Sequence, residues 1–283
     1  MVNDMGIKNF IIRSFRYIFK GIPVRKTTIK VVISSPTNIL NGRAVLITGG
    51  GKGLGFAFAK KCIEEGAKVV ITGRNEKTLR DACSLLGSNS YYIVKDVSTN
   101  FEDNLFFEDA EKMIGQKIDS LISNAGISLH EGDFRKVTEK TWDAQMNTNL
   151  KGNYFLVQQF IRYLESKEDK KGNVVVITSE RAMRSDDIPY GLTKVASNSF
   201  IKCIASKVAA EGIRINGVGP GVTSTDMTGV GRDGNMYNSW QSSERFFLPE
   251  EISEVVNFLL SDFSGCISGE IITCDLASYV SHW

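Results

Sequence analysis

The sequence predicts an α/β fold, a doubly wound parallel sheet of about seven strands, and three observations support it. Short apolar runs of strand character alternate with longer runs whose apolar residues recur at helical spacing. A glycine-rich turn at residues 48–55 joins the first strand to the first helix. The 283 residues are 42% hydrophobic and 23% charged, as is usual for a globular protein. Alternating strands and helices favour a parallel sheet covered by helices on both faces.

The individual elements follow from this alternation. Strands are predicted at residues 43–48, 68–72, 90–95, 118–123, 172–178, 213–218 and 270–274. Helices are predicted at residues 54–65, 75–86, 101–115, 138–166, 190–211 and 250–260. Residues 223–248 break the pattern and predict a loop or lid, because a polar, glycine-rich stretch there is followed by aromatic residues. Right-handed crossovers place ligands at the carboxyl ends of such strands.

Charge divides the chain into a basic N-terminal arm, residues 1–42, and one α/β domain, residues 43–283. Residues 1–30 hold seven basic side chains and one acidic one, so the rest of the chain is mildly acidic although the net charge is +2. An acidic domain gives little support to nucleic-acid binding. No run reaches the roughly 20 apolar residues that span a bilayer.

Residues 7–20 of the arm project onto an amphipathic helix with an aromatic and aliphatic face and a basic face. Such a helix either contacts an anionic membrane surface or packs on its own domain or on a neighbouring subunit. It is not predicted to be a secretory signal, because Arg13 and Arg16 interrupt the apolar run.

Cysteine and histidine usage limits the chemistry. The five cysteines are scattered and form no Cys-x-x-Cys pair, which predicts reduced thiols in the cytoplasm. With only two histidines, neither a metal site nor a Ser-His-Asp triad is expected. We therefore expect a cytoplasmic protein, peripheral to a membrane if the arm binds one.

The turn at residues 48–55 reads Thr-Gly-Gly-Gly-Lys-Gly-Leu-Gly. A glycine turn that opens a helix leaves free N–H groups at the positive end of the helix dipole, which favours a phosphate there. We expect Gly49 to permit the tight turn, Gly53 to let the backbone approach a pyrophosphate, and Gly55 to let helix and strand pack closely. A flexible glycine loop is the alternative that the octet alone leaves open.

The end of the second predicted strand indicates which dinucleotide binds. An NAD site normally places Asp or Glu about 20 residues beyond the glycine turn, where it holds the ribose 2′-hydroxyl. Here that position is Gly73, and Arg74 follows. A guanidinium can bind a 2′-phosphate, and Lys52 adds a second positive charge. These residues favour NADP(H) over NAD(H), although each alone could be ordinary surface charge.

The pattern Tyr-x-x-x-Lys occurs three times, as Tyr91/Lys95, Tyr163/Lys167 and Tyr190/Lys194. The first pair lies in a predicted strand, where a four-residue offset spans about 13 Å. The second pair is predicted near the end of a helix, in a solvated run of charges. The third pair opens a helix, so both side chains share one face. Ser179 ends the preceding strand, and context therefore selects the third pair.

In their order along the chain, the motifs between residues 43 and 276 resemble those of the short-chain dehydrogenase/reductase family. The matching pieces are residues 48–55, Lys95-Asp96-Val97, Ser123-Asn124-Ala125-Gly126, Asn147-Thr148-Asn149, Ser179, Tyr190 with Lys194, and Pro220-Gly221 followed by Thr225. The resemblance implies a Rossmann fold and a catalytic domain at residues 43–283. It implies cofactor contacts at Thr48, Gly49, Gly51, Lys52, Gly53, Leu54, Gly55, Arg74, Asp96, Val97, Asn124, Ala125, Gly126, Tyr190, Lys194, Pro220, Gly221, Val222 and Thr225.

The resemblance also implies a mechanism for the exchange of a carbonyl and a secondary alcohol. Tyr190 is the expected proton donor, and its ordinary pKa of about 10 needs lowering for work at neutral pH. Lys194 is expected to lower that pKa and to bind the nicotinamide ribose. Ser179 is expected to orient the carbonyl oxygen. Asn149 is expected to hold a water that links the lysine to solvent.

Three features depart from the family pattern. The segment between Ser179 and Tyr190 is shorter than usual, so that wall of the substrate pocket is expected to differ in shape from the family pattern. The chain has Asp275-Leu276-Ala277 where the family commonly has Asp-Gly-Gly, so the C-terminal end is expected to pack differently between subunits. The basic arm lies outside the family pattern.

The substrate pocket is expected to be lined by residues 127–131, 180–187 and 223–248. The charged second stretch favours a polar small molecule such as a sugar or polyol, unless its charges face solvent. A 3-oxoacyl-(carrier-protein) reductase is the alternative enzyme. A dinucleotide-binding regulatory or scaffold protein is the alternative of another class, although such proteins tend to lose the tyrosine or lysine. The family resemblance suggests a homotetramer or homodimer.

Overall fold

This computed structural model describes residues 21, 24, 37–99, 105–231 and 234–279. The predicted amphipathic helix at residues 7–20 lies outside these residues. Across the part of the chain that is described, no helix combines the length and apolar character needed to cross a membrane.

Among the described residues, seven strands form the sheet, and their bounds are close to the predicted ones. They are β1 Ala44–Thr48, β2 Lys68–Gly73, β3 Ser90–Val94, β4 Ser120–Ser123, β5 Gly172–Ile177, β6 Ile213–Pro220 and β7 Ile271–Cys274. The spatial order is β3-β2-β1-β4-β5-β6-β7, and every neighbouring pair is parallel. This order confirms the predicted doubly wound parallel sheet.

In the part of the chain that the structure describes, seven α-helices connect the strands. They are α1 Gly53–Glu64, α2 Glu76–Leu86, α3 Phe106–Ile114, α4 Glu139–Gln145, α5 Asn153–Glu165, α6 Pro189–Val208 and α7 Pro249–Leu260. Shorter 3₁₀ turns occupy Phe134–Lys136, Glu180–Met183, Ala209–Glu211 and Asp262–Ser264. The helix predicted at 101–115 is observed from Phe106 onwards, and residues 101–104 lie outside the described part.

The core has two halves, one on each face of the sheet. Leu46 of β1 packs with α3, α5 and α6, in a cluster that includes Phe107 and Phe160. Its neighbours Val45 and Ile47 point to the other face, where they pack with α1, α2 and α7. Successive residues of one strand are thus buried on opposite faces, which explains why these strands are continuously apolar.

The single helix predicted at residues 138–166 is wrong in one respect. A π-helical segment, Met146–Gly152, separates α4 from α5. Close packing accompanies this interruption, since a Cβ atom on Gly152 would lie only 2.3 Å from the carbonyl oxygen of Val97. Wide helical turns of this kind occur often at functional sites.

The predicted lid, residues 223–248, folds back across the carboxyl edge of the sheet. Thr223 pairs with Phe247 and Tyr237 pairs with Arg245, each through an isolated β-bridge. The chain bends back between these pairs, and residues 232–233 lie outside the described part.

The turn after β7 keeps a glycine-like backbone without glycine. Leu276 and Ala277 have φ angles of +49° and +59°. The Asp275 carboxylate accepts hydrogen bonds from the N–H groups of Ala277 and Tyr279, both at 3.1 Å. These bonds hold two residues in a left-handed conformation that costs roughly 1–2 kcal/mol per non-glycine residue.

Candidate active site

The sheet topology brings the predicted motifs to one edge. The chain leaves β1 for β2 on one side, and later returns to β4 on the other side of β1, so the strand order reverses there. A doubly wound sheet binds ligands in the crevice at such a reversal. The glycine turn follows β1, Asn124 follows β4, Ser179 lies two residues beyond β5, and Gly221 follows β6.

The glycine turn has the backbone that its sequence predicts. Gly49 has a φ angle of +66°, which side-chain-bearing residues rarely adopt. A Cβ atom on Gly55 would lie 2.2 Å from the carbonyl oxygen of Gly49, so only glycine lets α1 begin this close to β1. The two glycines therefore fix the turn and the helix start in the way the family pattern requires.

The N-terminus of α1 fits a phosphate group. Lys52 occupies the N-cap position, its side chain caps no N–H group, and no acidic residue lies in the first turn. The N–H of Gly50 donates to the carbonyl oxygen of Thr72 at 3.1 Å, which fixes the turn against the end of β2. A helix start without a side-chain cap offers N–H donors at the positive end of the dipole, as a dinucleotide pyrophosphate requires.

Thr48 and Asn124 hold β1 and β4 together beneath this turn. The Thr48 hydroxyl oxygen accepts hydrogen bonds from the N–H groups of Asn124 and Ala125, both at 3.0 Å. The Asn124 side chain donates in return to the carbonyl oxygen of Thr48 at 2.8 Å. Because Thr48 is fully buried, its side chain supports the cleft from below.

The residues predicted to bind the adenosine half of the cofactor lie along the same edge. Arg74 directly follows β2 and is exposed. Asp96 lies beyond β3 and accepts hydrogen bonds from the N–H and the hydroxyl of Ser98, at 2.9 and 2.7 Å. The Lys52 ammonium group lies 3.1 Å from a carboxylate oxygen of Asp226 in the lid. This ion pair was not predicted from the sequence.

The lid segment after β6 approaches the glycine turn closely. A Cβ atom on Gly53 would lie 3.7 Å from Thr225. On the opposite rim, the His130 ring nitrogen Nε2 lies 3.2 Å from the carbonyl oxygen of Met227. The lid therefore contacts both the glycine turn and the loop after β4.

Asn149 and Lys194 meet beside Gly126. A Cβ atom on Gly126 would lie 3.4 Å from Asn149 Oδ1 and 3.6 Å from Lys194 Nζ. The Asn149 side chain accepts from the N–H of Ile127 and donates to its carbonyl oxygen, both at 2.8 Å. The Lys194 ammonium group donates to the carbonyl oxygen of Ile177 at 2.9 Å. Backbone contacts thus fix both side chains.

Tyr190 lies between Lys194 and Ser179. The Lys194 ammonium nitrogen is 5.7 Å from the centre of the Tyr190 ring. The Ser179 side chain hydrogen-bonds the phenol and also accepts from the N–H of Arg181 at 3.2 Å. The structure therefore brings together the four residues predicted to act in catalysis.

Burial governs the ionisation of this group. Burial raises the pKa of Tyr190 above its ordinary value, although the Ser179 hydrogen bond and the positive charge of Arg181 act in the opposite direction, so the lowering expected from Lys194 is not seen in the protein alone. Burial lowers the pKa of Lys194 from 10.5 to about 8. A lysine that ionises near neutrality suits proton transfer better than an ordinary lysine.

Two further buried amides flank Asn149 along the chain, and neither was predicted as a site residue. Gln145 and Asn153 lie four residues before and after it, and all three are buried. Asn153 donates to the carbonyl oxygen of Ala125 at 3.3 Å, and Gln145 donates to the Glu131 carboxylate at 2.5 Å. Amides at i, i+4 and i+8 share one face of a helix, so this spacing was the available signal.

The other two Tyr-x-x-x-Lys pairs lie away from this cleft. Tyr91 packs against the core on β3, and the Lys95 ammonium lies 4.5 Å from the ring centre of Phe106. The prediction that Tyr163 lies among solvated charges was wrong, because its side chain is buried in the core. It faces the sheet from α5, and the Lys167 ammonium lies 4.5 Å from its ring centre.

Comparison with known proteins establishes the family. A sequence model of the short chain dehydrogenase family matches residues 43–235, more than half of the chain. The chain therefore belongs to the short-chain dehydrogenase/reductase family, as predicted, and it is an oxidoreductase whose fold binds a nicotinamide dinucleotide.

Named relatives include reductases from several sources. The 3-oxoacyl-[acyl-carrier-protein] reductase FabG of Chlamydia muridarum is 30% identical over 249 residues, which cover 84% of this chain and 98% of that protein. The versicolorin reductase stcU of Emericella nidulans is 30% identical over 264 residues, with coverages of 86% and 97%. The crystal structure of 3-ketoacyl-(acyl-carrier-protein) reductase from Brucella melitensis with NADH matches with a TM-score of 0.77 and 25% identity, over 85% of this chain and 100% of that chain.

Proposed function

We propose that the protein is an NADP(H)-dependent oxidoreductase that interconverts a carbonyl and a secondary alcohol on a polar small molecule. The arrangement of Tyr190 with Lys194 and Ser179 at the carboxyl edge of the sheet carries this proposal. A bound nicotinamide would supply or accept the hydride. Tyr190 would supply the proton to the carbonyl oxygen, or remove it from the alcohol.

The side chains around Tyr190 have complementary roles in this reaction. The Ser179 hydroxyl would donate to the oxygen on which negative charge develops. Lys194 would stabilise the phenolate and, with a pKa of about 8, could return a proton to it near neutral pH. Asn149, with its side chain fixed by Ile127, would hold the water that connects Lys194 to solvent.

The preference for NADP(H) rests on Arg74. Arg74 is exposed at the end of β2. The glycine turn is joined to the same end of this strand, because the N–H of Gly50 donates to the carbonyl oxygen of Thr72. A guanidinium there attracts a 2′-phosphate and offers paired donors to it. Lys52 would add its charge only in part, because Asp226 competes for the same ammonium group.

A polar substrate has partial support from the segment before Tyr190. Arg184 and Asp187 are exposed and could meet polar groups of a substrate. Arg181 is bound by Asp186, so these two charges neutralise each other, and the buried Glu180 lies 3.9 Å from Arg184. The pocket is therefore less charged than the sequence suggests.

A 3-oxoacyl-(carrier-protein) reductase is the second candidate, and the relatives favour it. The match to the FabG of Chlamydia muridarum extends over 98% of that protein. A regulatory or scaffold protein without catalysis is the candidate of another class. The geometry gives it less support, because the site brings all four expected side chains together.

We further propose a homodimer or homotetramer in the cytoplasm, with the arm either on a membrane surface or on protein. A groove between the π-helical segment, α5 and α6 is lined by apolar side chains that include Leu150, Tyr154 and Phe200. Tyr154 and Val195 remain about two-fifths exposed in the single chain. Apolar surface of this kind is typical of a subunit interface.

NADPH oxidation by the full chain tests the proposal. A panel of sugar-like, small aliphatic and 3-oxoacyl thioester carbonyls would be assayed with NADPH and with NADH. We expect turnover of polar carbonyls, with a preference for NADPH that falls in Arg74→Ala because the 2′-phosphate loses its partner. Arg80→Ala, an exposed arginine on α2, is the matched control.

The outcomes separate the candidates. Turnover restricted to 3-oxoacyl thioesters would support the second candidate. Cofactor binding without turnover of any carbonyl, unchanged by Tyr190→Phe, would support the scaffold. Equal weakening of NADPH and NADH by Arg74→Ala would reject the 2′-phosphate assignment.

A further inference from the structure

A second cation lies close to Tyr190. The guanidinium carbon of Arg181 is 6.0 Å from the centre of the Tyr190 ring, almost as near as the Lys194 ammonium at 5.7 Å. Arg181 lies two residues beyond Ser179, in the short segment that departs from the family pattern. The phenol therefore has a positive charge on its own helix and another on the preceding segment.

Asp186 fixes the position of this guanidinium. Arg181 Nε donates to Asp186 Oδ2 at 2.6 Å, and Nη2 lies at the same distance from that oxygen. The Asp186 side chain is only 2% exposed, and its other oxygen accepts from the N–H of Ile188 at 3.2 Å. A Cβ atom on Gly191 would lie 2.0 Å from Asp186 Cγ, so the glycine after Tyr190 makes room for the carboxylate.

The charges around the phenol oppose one another. Arg181 favours its ionised form, whereas Glu180 and Asp186 disfavour it. Arg184 and Asp275 act on Glu180, and Asp187 accepts a hydrogen bond from the N–H of Phe134. Lys194 loses its charge near pH 8, but an arginine stays protonated throughout the accessible range. Among the described residues near Tyr190, Arg181 is therefore the cation whose charge persists in alkaline solution.

We propose that Arg181, held by Asp186, is a positioning residue that stabilises the phenolate form of Tyr190. The use of that phenolate rests on the proposed function, since it is the base for alcohol oxidation. The electrostatic effect on Tyr190 exists whether or not a substrate is found. Proximity of a charge within about 6 Å is sufficient to favour the opposite ionised form.

The ion pair offers a test that separates charge from structure. Arg181→Gln removes the cation and leaves the Asp186 anion, so the ionised fraction of Tyr190 should fall. Asp186→Asn removes the anion and leaves the cation, so the ionised fraction should rise. Both variants break the same ion pair, so a purely structural role would shift Tyr190 in the same direction in both.

Ionisation of Tyr190 is measured by tyrosinate absorbance on the full chain. Each variant is compared with the same variant carrying Tyr190→Phe, at one alkaline pH where circular dichroism shows every protein folded. We expect the ratio of ionised to neutral Tyr190 to fall roughly threefold to tenfold in Arg181→Gln and to rise in Asp186→Asn. Arg181→Lys should retain most of the effect.

Arg184→Gln is the matched control, because Arg184 lies on the same segment, is more exposed and faces Glu180. It should leave the ionised fraction of Tyr190 nearly unchanged. Equal shifts in Arg181→Gln and Arg184→Gln, or shifts of the same sign in Arg181→Gln and Asp186→Asn, would overturn the proposal. Failure of every carbonyl in the activity panel would count against the proposed function and leave this result standing.

Discussion

Two tyrosine–lysine pairs with the same spacing occupy different places in this fold. Tyr163 and Lys167 lie on α5, and Tyr190 and Lys194 lie on α6. In each pair the lysine ammonium lies over the tyrosine ring, at 4.5 Å in the first and 5.7 Å in the second. Sequence spacing alone does not distinguish them.

The partners of each pair are different. The Tyr163 hydroxyl accepts from the N–H of Ile118 at 3.0 Å and donates to the Glu111 carboxylate at 2.9 Å. Lys167 also donates to Glu111. Burial and the negative charge of Glu111 raise the pKa of Tyr163, while the Ile118 hydrogen bond acts against this rise. The polar groups of this pair are therefore satisfied by protein contacts, and these contacts join α5 to α3.

The second pair lacks a carboxylate partner of this kind among the described residues. Within the described part of the chain, Lys194 donates to the carbonyl oxygen of Ile177 and forms no ion pair with a carboxylate. The phenol of Tyr190 contacts Ser179 at the carboxyl edge of the sheet. The difference teaches that a reactive tyrosine is recognised by an uncompensated lysine at a cleft, and not by the motif itself.

Substitution of both tyrosines by phenylalanine is the strongest way to test this comparison. Tyr190→Phe should lower turnover roughly 10²–10⁴-fold, as expected for loss of a general acid–base group, with little change in stability. Tyr163→Phe should retain turnover but lose about 1–3 kcal/mol of unfolding free energy, because the Ile118 N–H and the Glu111 carboxylate lose a buried partner.

Initial rates of NADPH oxidation check the predicted turnover, and urea unfolding of the same preparations checks the predicted stability. The conservative change removes one oxygen atom at each site, so each variant serves as the control for the other. Loss of turnover in Tyr163→Phe without loss of stability would contradict the distinction between the two pairs.

The fold could be read from the sequence because each strand is a short, apolar run with clear boundaries. Core strands such as β1 are buried on both faces, so burial and composition agree there. The π-helical segment could not be read in this way, since the asparagines, threonine and glycine of Met146–Gly152 weaken a helix without specifying wider turns. Its interruption accompanies tertiary contacts, notably the approach of Gly152 to Val97.

The candidate site likewise contains residues that the sequence predicts and residues that it does not predict. Tyr190 and Lys194 were found because their motif has a recognisable context in the chain order. The Arg181–Asp186 pair was not found, because it forms only when the short segment folds back on Gly191. The burial of Tyr163 was also missed, since neighbouring charges on α5 hide one inward-facing aromatic residue.

A smaller effect, on the free energy of unfolding, should distinguish Lys194 from Lys167. Below pH 8 Lys194 is charged in both states, and its burial opposes folding because its pKa falls from 10.5 to about 8. Between these values the folded state releases its proton first, so stability should rise with pH. Lys194→Met should therefore stabilise the protein below pH 8 by on the order of 1–3 kcal/mol, while abolishing turnover.

Urea unfolding at several pH values measures this difference. The advantage of Lys194→Met should shrink between pH 8 and 10.5 and vanish above 10.5, where the lysine becomes neutral in the unfolded state as well. A destabilised Lys194→Met at neutral pH would show that the bond to Ile177 outweighs the burial of the charge, and would contradict the prediction.

The smallest expected effect is that of Lys167→Met. Its partner Glu111 is partly exposed, and an ion pair of this kind contributes about 0.5–1 kcal/mol. Burial acts to raise the pKa of Glu111, but the hydrogen bonds from Lys167 and Tyr163 outweigh it, so this pKa lies below its ordinary value of 4.5. A carboxylate with a lowered pKa stabilises the fold above its unfolded pKa, and this contribution is lost as the pH falls through its folded pKa.

Lys167→Met should thus lose its small deficit in acid and in high salt, where the parent protein loses the ion pair too. Urea unfolding at neutral pH, below pH 4.5 and at high salt tests this, and a deficit that persists in all three would assign the effect to lost packing of the lysine stem on the Tyr163 ring.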